Sequence, residues 1–442
     1  MREATPSRQV ALEAMRAIRA GELADRALAE RVEALEIRDR AWVWELVMGV
    51  QRARGKLDYL LARHVSRGLA RLQPDVLDVL RLGAYQLVAM GGVPTYAAIS
   101  QSVQLTRDAG AVAAAPLVNA VLRSLGREAD SGEIETAFPD PAQDEIGWLT
   151  TAGSHPRWLV ERWLARFGFA ETRALTDAND ARPELFVRPV GIGTVEATQR
   201  LADAGVVVEA VAGAPDALRV VPPAAPEDVF AVIPAVVQDP AATLVTRYAA
   251  IPAGATVADL CAAPGGKGVV LAGEGARVLA SDVSPQRLGR VAQTRARLGL
   301  TRALELLAAD ARRPPVRKGS FDAVLLDVPC TGTGTLRRHP DGKWRLRPED
   351  LAALVALQRE ILDAAAEVVK PGGVLVYATC SLEPEENEGQ VEAFLARDDR
   401  FAPAPGDHGL DPALTDGHGR LFALPQRTGF DGAFAARLLR TR

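Results

Sequence analysis

Cysteine is nearly absent: the 442-residue chain has three, Cys261, Cys330 and Cys380. Three thiols cannot make a disulfide framework. Each ends an apolar, strand-like run and is followed by turn residues, a setting that favours reactivity over packing. Also missing is any apolar run long enough to span a bilayer. The first 20 residues, MREATPSRQVALEAMRAIRA, carry charge where a signal peptide needs its apolar centre. The expectation is a cytoplasmic protein with reduced thiols, bound to no membrane and to no metal. Nor does charge of one sign dominate, since 52 Lys and Arg face 56 Asp and Glu for a net charge of -4. The overall balance therefore does not announce a polyanion binder.

Local charge says more. Arg52, Arg54, Lys56, Arg63, Arg67 and Arg71 face only Asp58, a second basic block runs from Arg287 to Lys318, and a third is RRHPDGKWRLR at 337 to 347. One such block fits a solvated helix face, whereas three together point to a polyanionic partner. A 48% hydrophobic chain of this length is expected to bury two or three separate cores.

Residues 1–130 read as all-α. Apolar positions recur at helical spacing in VALEAMRAI, RAWVWELVMGVQR and DVLDVLRLGAYQLVAM. Breaks are expected at Gly21, Gly55, Gly68, Pro74, Gly91, Gly92 and Pro94. Asn119, in an otherwise apolar helix, reads as a hydrogen-bonded core amide. GREADSGEIETAFPDPAQDE, from Gly126, reads as a linker. Residues 145–235 read as a small α/β connector, with strands at ELFVRPV, VVVEAV and ALRVV. From 236 to 442 the strands ATVADLC, ARVLASD, ALELLAAD, FDAVLLD and GGVLVYATC alternate with helical segments, and a closing hairpin is expected at the end. That pattern predicts a doubly wound, mostly parallel sheet covered on both faces.

Ligands of such a sheet bind at the carboxyl ends of its strands. The informative residues are therefore Asp259 to Lys267, Asp282, Asp310, Asp327 to Cys330, and Thr379 to Ser381. DLCAAPGGK sets a Gly265-Gly266 turn after the first strand, where the backbone can approach a ligand. Asp282, at the end of the second strand, can accept from ribose hydroxyls, and Asp310, ending the third, can reach an adenine amino group. Both aspartates can alternatively serve as helix N-caps. The GxxxxGK[ST] spacing of a phosphate loop is missing, which favours a nucleoside-type cofactor without a polyphosphate.

DLCAAPGGK, DVPCTGTG and ATCSLEPEENE, in this order, resemble the S-adenosylmethionine-dependent RNA cytosine-5 methyltransferases. RDRAWVWELVMGVQRARGKLDYLL and LVNAVLRSL resemble the NusB antitermination-factor fold. The pairing is similar to the bacterial small-subunit ribosomal RNA methyltransferases of the Sun/Fmu type, and it covers essentially the whole chain. The resemblance implies a Rossmann-like methyltransferase domain that binds S-adenosyl-L-methionine, an N-terminal NusB-like RNA-binding domain, and naked or partly assembled ribosomal RNA as partner of a monomer. It also implies residue roles. C5 of cytosine is a poor nucleophile until a thiolate adds at C6. Cys380 is then the nucleophile, Asp327 holds the cytosine edge at N3 and N4 and lies near the cofactor, and Cys330 assists release of the covalent adduct. Cys261, Ala262, Ala263, Pro264, Gly265, Gly266 and Lys267, with Asp282, Asp310 and Asp327, form the cofactor site. Two alternatives are a transfer RNA cytosine-5 methyltransferase and a non-catalytic RNA-binding or antitermination factor.

RRHPDGKW matches the family's HPD-x-KW segment, where Arg337, Arg338, Lys343 and Arg345 suit phosphates beside the target nucleotide. His339 there reads as structural or RNA-positioning. The acidic run Glu383 to Glu388 reads as a helix N-terminus, with its carboxylates opposing the dipole. Departures from the family pattern are few: Gly268 stands where a hydroxyl residue is common, Gly342 replaces an apolar residue, and Ala433 and Ala435 stand where aromatics are frequent, at the expected edge of the cytosine pocket.

Overall fold

The computed structural model describes residues 3–404 and 409–442. The chain divides into two compact units, Met1–Ala181 with Leu336–Arg345, and Arg182–Thr335 with Leu346–Arg442. No helix among the described residues is long and apolar enough to cross a membrane.

The first unit is all helical. Its helices are α1 (Pro6–Arg19), α2 (Ala24–Val32), α3 (Ile37–Ala62), α4 (Pro74–Val88), α5 (Thr95–Asp108), α6 (Ala115–Ser131), α7 (Glu145–Thr151) and α8 (Arg157–Asp180). Pro6 and Pro74 sit in the first turns of α1 and α4, where a fixed φ helps and the missing N–H costs nothing. Leu28, Leu46, Leu57, Leu60, Leu80 and Leu122 are wholly buried in one core.

Gly55, expected to break a helix, instead lies inside α3. It is there for close approach: a Cβ at this position would stand 2.7 Å from the Thr150 carbonyl oxygen. Its N–H also accommodates the Ser154 hydroxyl at 2.9 Å. Asn119 is likewise not a core amide. It is half-buried and accepts from Arg123 Nε at 3.2 Å.

The HPDGKW segment belongs to this unit, and its lysine does not serve phosphates. The Lys343 side chain is 1% exposed, and its ammonium donates to the Arg52 carbonyl at 2.8 Å and to Asp180 Oδ1 at 3.1 Å. Trp344 Nε1 donates to the Gln51 carbonyl at 2.6 Å. Arg337 is buried as well, while Arg345 pairs with Asp341 at 3.2 Å. Removing one partner of a buried pair strands the other, at a cost of about 3–5 kcal/mol when both are fully enclosed. Asp180 keeps some solvent contact, so Lys343→Ala should cost about 2–3 kcal/mol in denaturant unfolding. A salt slope of polyanion binding lowered by about one charge in this variant would instead make Lys343 a phosphate contact.

The second unit opens with β1 (Phe186–Pro189), α9 (Thr194–Asp203), β2 (Val208–Ala210), β3 (Leu218–Val220), α10 (Pro226–Phe230) and β4 (Ala235–Val237). The strands form an antiparallel sheet in the order β2-β3-β1-β4. The expected strands are there; β4, three residues long, carries too little pattern to be read from sequence.

Next come α11 (Pro240–Ala249), β5 (Thr256–Asp259), α12 (Gly266–Gly273), β6 (Arg277–Asp282), α13 (Pro285–Arg297), β7 (Leu304–Ala308) and β8 (Phe321–Asp327). After α14 (Gly342–Arg345), which lies in the first unit, follow α15 (Pro348–Val368), β9 (Val369–Thr379), α16 (Glu388–Arg397), β10 (Phe401–Pro403), β11 (Leu421–Ala423), α17 (Pro425–Thr428) and β12 (Ala433–Arg440). Neighbouring strands run β10-β12-β9-β8-β5-β6-β7, with β11 paired to β12. The pairings from β9 to β7 are parallel, and β12 is antiparallel to both β9 and β11.

Alternation along the strands explains why both faces are covered. Ala323 and Leu325 point to the core shared with α11, α12 and α13, whereas Val324 and Leu326 point to the core shared with α15 and α16. Ala433 and Ala435 fall in the first of these cores and Phe434 in the second. Both alanines are buried, in a strand that is paired on both sides.

Candidate active site

From β5 the chain moves outward through β6 to β7, then returns to β8 on the other side of β5. The switch point therefore lies between β5 and β8, the place where such sheets bind ligands. The segments leaving those two strands are Asp259 to Gly266 and Asp327 to Cys330.

The CAAPGGK loop is pinned to its neighbour strand. Ala262 N–H donates to the Ser281 carbonyl at 2.8 Å, and Ala263 N–H donates to Asp282 Oδ2 at 3.2 Å. Arg287 donates to the Ala263 carbonyl at 2.5 Å. Gly265 has φ +106°, and a Cβ there would lie 2.9 Å from Val291. Only glycine fits that turn, from which α12 starts. Asp282 Oδ1 accepts from Ser284 N–H at 2.9 Å. Asp282 is not the helix cap, since Ser284 caps α13. Asp310 accepts from the Arg312 N–H and guanidinium, and it caps no helix, since β8 is the next described strand or α-helix.

A cavity of about 580 Å³ opens at this end of the sheet. Cys261, Ala263, Asp282, Asp310, Asp327, Cys330 and Cys380 line it, with apolar walls from Leu260, Val283, Val328, Leu357 and Ile361. Ala262, Pro264, Gly265, Gly266 and Lys267 do not line it but form the back of the loop. Lys267 instead donates to Asp327 Oδ2 at 2.6 Å. Burial works against its charge, but Asp327, together with smaller contributions from Cys380 and Asp259, outweighs it, so Lys267 is held as a cation.

Because β8 and β9 are parallel neighbours with Asp327 opposite Ala378, the loops that follow them meet. Cys330 Sγ and Cys380 Sγ lie 3.3 Å apart. The hydrogen bond to Cys380 and burial raise the pKa of Cys330 well above that of an ordinary thiol. Cys261 is also pushed up, by burial and then by the nearby carboxylates of Asp259, Asp327 and Asp282. It stays a neutral thiol in the cavity wall.

Asp259, the first residue of the Asp259 to Lys267 segment, belongs to this group although the sequence pattern assigns it no role of its own. Its signal was the same as that of Asp282 and Asp310, an acid ending an apolar strand. It is 1% exposed, and burial, followed by repulsion from Asp327, raises its pKa to about 7. Its Oδ1 has no hydrogen-bond partner. A Cβ at Gly268 would stand 2.8 Å from Oδ2, so the hydroxyl missing at position 268 coincides with an under-satisfied carboxyl group.

A carboxyl group whose folded pKa lies above its unfolded value of 3.8 keeps its proton in the native state, and its contribution to stability falls as pH rises from about 4 to 7. Asp259→Asn removes that dependence. Denaturant unfolding should show the variant gaining on the wild type across this window, by at most about 1.4 kcal/mol per pH unit, and levelling off above it. A difference that does not change with pH would place Asp259 in a solvated setting.

Comparison with known proteins gives three matches along the chain. Residues 5–127 match the NusB family, residues 155–226 the ferredoxin-like domain of RsmF/B-like methyltransferases, and residues 250–439 the 16S rRNA methyltransferase RsmB/F family. The ferredoxin-like match begins before α8, whose backbone clusters with the helical unit. Ribosomal RNA small subunit methyltransferase B of Sodalis glossinidius is 37% identical, over 92% of this chain and 91% of its own. A relative in Mycobacterium tuberculosis strain H37Rv, named only as a methyltransferase, is 36% identical over 98% of this chain and 96% of its own. The crystal structure of PH0851 superposes with a TM-score of 0.79 at 26% identity, covering 99% of each chain.

Proposed function

Since the chain belongs to the RsmB/F family of 16S rRNA methyltransferases with an N-terminal NusB domain, we propose that it methylates C5 of a cytidine in small-subunit ribosomal RNA through a covalent bond between Cys380 and C6. The observation that carries this reading is the pair of thiols 3.3 Å apart on the wall of the cavity that Asp327 also lines.

The two sulfurs are not equivalent. The family resemblance of ATCSLEPEENE and DVPCTGTG gives the attack to Cys380 and release to Cys330, and the raised pKa of the buried Cys330 thiol suits a group that keeps a proton to offer. Lys267, held as a cation beside Asp327, lies close enough to Cys380 to interact with it. As Cys380 adds to C6, the ring electrons move toward N3, and Asp327 holds the N3 and N4 edge. S-Adenosylmethionine, when bound, supplies the electrophilic methyl group. The residues present fit that cofactor: the cavity is within the usual range for a ligand of this size, and each Asp282 oxygen retains a second lone pair for a ribose hydroxyl. Cys261, Ala263, Asp282 and Asp310 would hold it. Once C5 carries the methyl group, a base takes the C5 proton, the ring electrons re-form the C5–C6 double bond, and the C6–S bond breaks. The Cys330 thiol, hydrogen-bonded to Cys380 Sγ, stabilises the thiolate that leaves.

Because the target base must leave its stack, accessible RNA is the better substrate. The test is methyl transfer by the full chain from labelled S-adenosylmethionine to naked small-subunit rRNA, assembled small subunits and transfer RNA, with bisulfite sequencing of the product. Labelling of a single rRNA cytidine is expected. Labelling of transfer RNA alone would make this a transfer RNA enzyme, and no calorimetric binding of the cofactor would make it a scaffold.

A further inference from the structure

The acidic run after Cys380 is not a solvated helix start. Helix α16 begins only at Glu388, while Glu386 and Asn387 are wholly buried. Isolating a carboxylate from water is costly unless hydrogen bonds satisfy it. Glu386 directs most of its hydrogen bonds to the residues around Cys330, and accepts one more from the Ser381 hydroxyl beside Cys380. Oε1 accepts from Thr331 N–H at 2.9 Å and from Gln358 Nε2 at 2.8 Å, and the same Gln358 amide donates to the Pro329 carbonyl at 3.0 Å. Oε2 accepts from the Thr331 hydroxyl at 2.5 Å. Cys330 is thus gripped on both sides, at Pro329 and at Thr331.

Asn387 does the same for Cys380. Its Oδ1 accepts from the Thr379 hydroxyl at 2.5 Å, and its Nδ2 donates to the Ser381 carbonyl at 2.8 Å. Thr331 and Ser381 touch through their hydroxyls at 3.0 Å, and the Tyr377 hydroxyl fixes the Glu386 carbonyl to β9 at 2.7 Å. Two consecutive side chains on one rigid backbone therefore set the position of two thiols 50 residues apart.

We propose that Glu386 and Asn387 are positioning residues with divided duties: Glu386 holds Cys330 and governs release of the covalent adduct, and Asn387 holds Cys380 and governs its formation. This rests on the thiol roles given under Proposed function. Neither residue lines the cavity, so each acts on the chemistry through the thiol it holds.

The divided duties predict opposite defects, which a general loss of structure would not produce. In single-turnover reactions of the full chain with rRNA and S-adenosylmethionine, Glu386→Ala should form the adduct within about threefold of the wild-type rate and release it roughly 10- to 100-fold more slowly, the scale of a displacement near 1 Å. The adduct then accumulates in denaturing gels. Glu386→Gln should restore release to within a few-fold, because its carbonyl still accepts from Thr331 and Gln358 and its amide can donate to the Thr331 hydroxyl. Asn387→Ala should slow adduct formation by a similar factor, with no accumulation. Cofactor binding by calorimetry should match the wild type in all three. Should Glu386→Ala not fold, Glu386→Asp, which withdraws the carboxylate by one methylene, carries the same expectation. Equal slowing of both steps in both variants, or slowed formation in the Glu386 variant, overturns the division. If Cys330→Ala forms no adduct while Cys380→Ala traps RNA, the thiol roles themselves are reversed and the proposal falls with them.

Discussion

Cys380→Ala should abolish methyl transfer, by roughly 10⁴-fold or more, the scale on which removal of a covalent nucleophile acts. The reason is chemical. Without addition at C6, C5 has no electron pair to offer, and no other group in the cavity replaces a sulfur nucleophile there: Cys261 is held neutral by burial and its carboxylate neighbours, and burial still disfavours a Cys330 thiolate once its hydrogen bond to Cys380 is lost. Cofactor affinity should change little, since the Ala263, Asp282 and Asp310 end of the cavity is untouched. Cys380→Ser should be nearly as inactive, because a serine hydroxyl has a far higher pKa than a thiol. The measurements are labelled-methyl incorporation and calorimetry of the cofactor. An alanine variant retaining more than a few per cent of activity would remove Cys380 from the bond-forming role.

Cys330→Ala should do the reverse to the covalent intermediate. Adduct formation needs only Cys380, so RNA should still attach; loss of the thiol 3.3 Å from Cys380 Sγ removes the hydrogen bond that helps the sulfur leave. Turnover should fall by about 10²- to 10⁴-fold, as when a positioned proton donor is lost, and a protein–RNA species should persist in denaturing gels. Double substitution of both cysteines should remove that species, which shows that the bond is to Cys380. A Cys330 variant that turns over freely would show that release needs no help from this residue.

The strand ends were legible because an apolar run closing on Asp or Cys is a local pattern. Asp259, Asp282, Asp327, Cys330 and Cys380 all sit where that pattern puts them, at one end of one sheet. Boundaries controlled by distant neighbours were not legible. Gly55 looks like a helix break, and only the approach of Thr150 reveals a glycine required inside α3. Lys343, read among arginines as a phosphate ligand, is enclosed between Arg52 and Asp180, which lie far away in the chain. Glu386 resembles any acid before a helix until Thr331 and Gln358 are seen around it.

The sequence by itself determined the alternation of elements, the doubly wound class, and which residues stand at the carboxyl ends of the strands, since 3.6- and 2-residue periods are carried by the chain locally. The tertiary structure decided which of those ends meet. That depends on strand order, which places β5 between β6 and β8 and sets β9 beside β8. It also decided the protonation preference of each group, because burial and charged neighbours shift a pKa and both are properties of the packed molecule. Three scarce cysteines thus became one partly buried neutral thiol in the cavity wall and a pair in contact, held from outside the cavity by two neighbouring side chains.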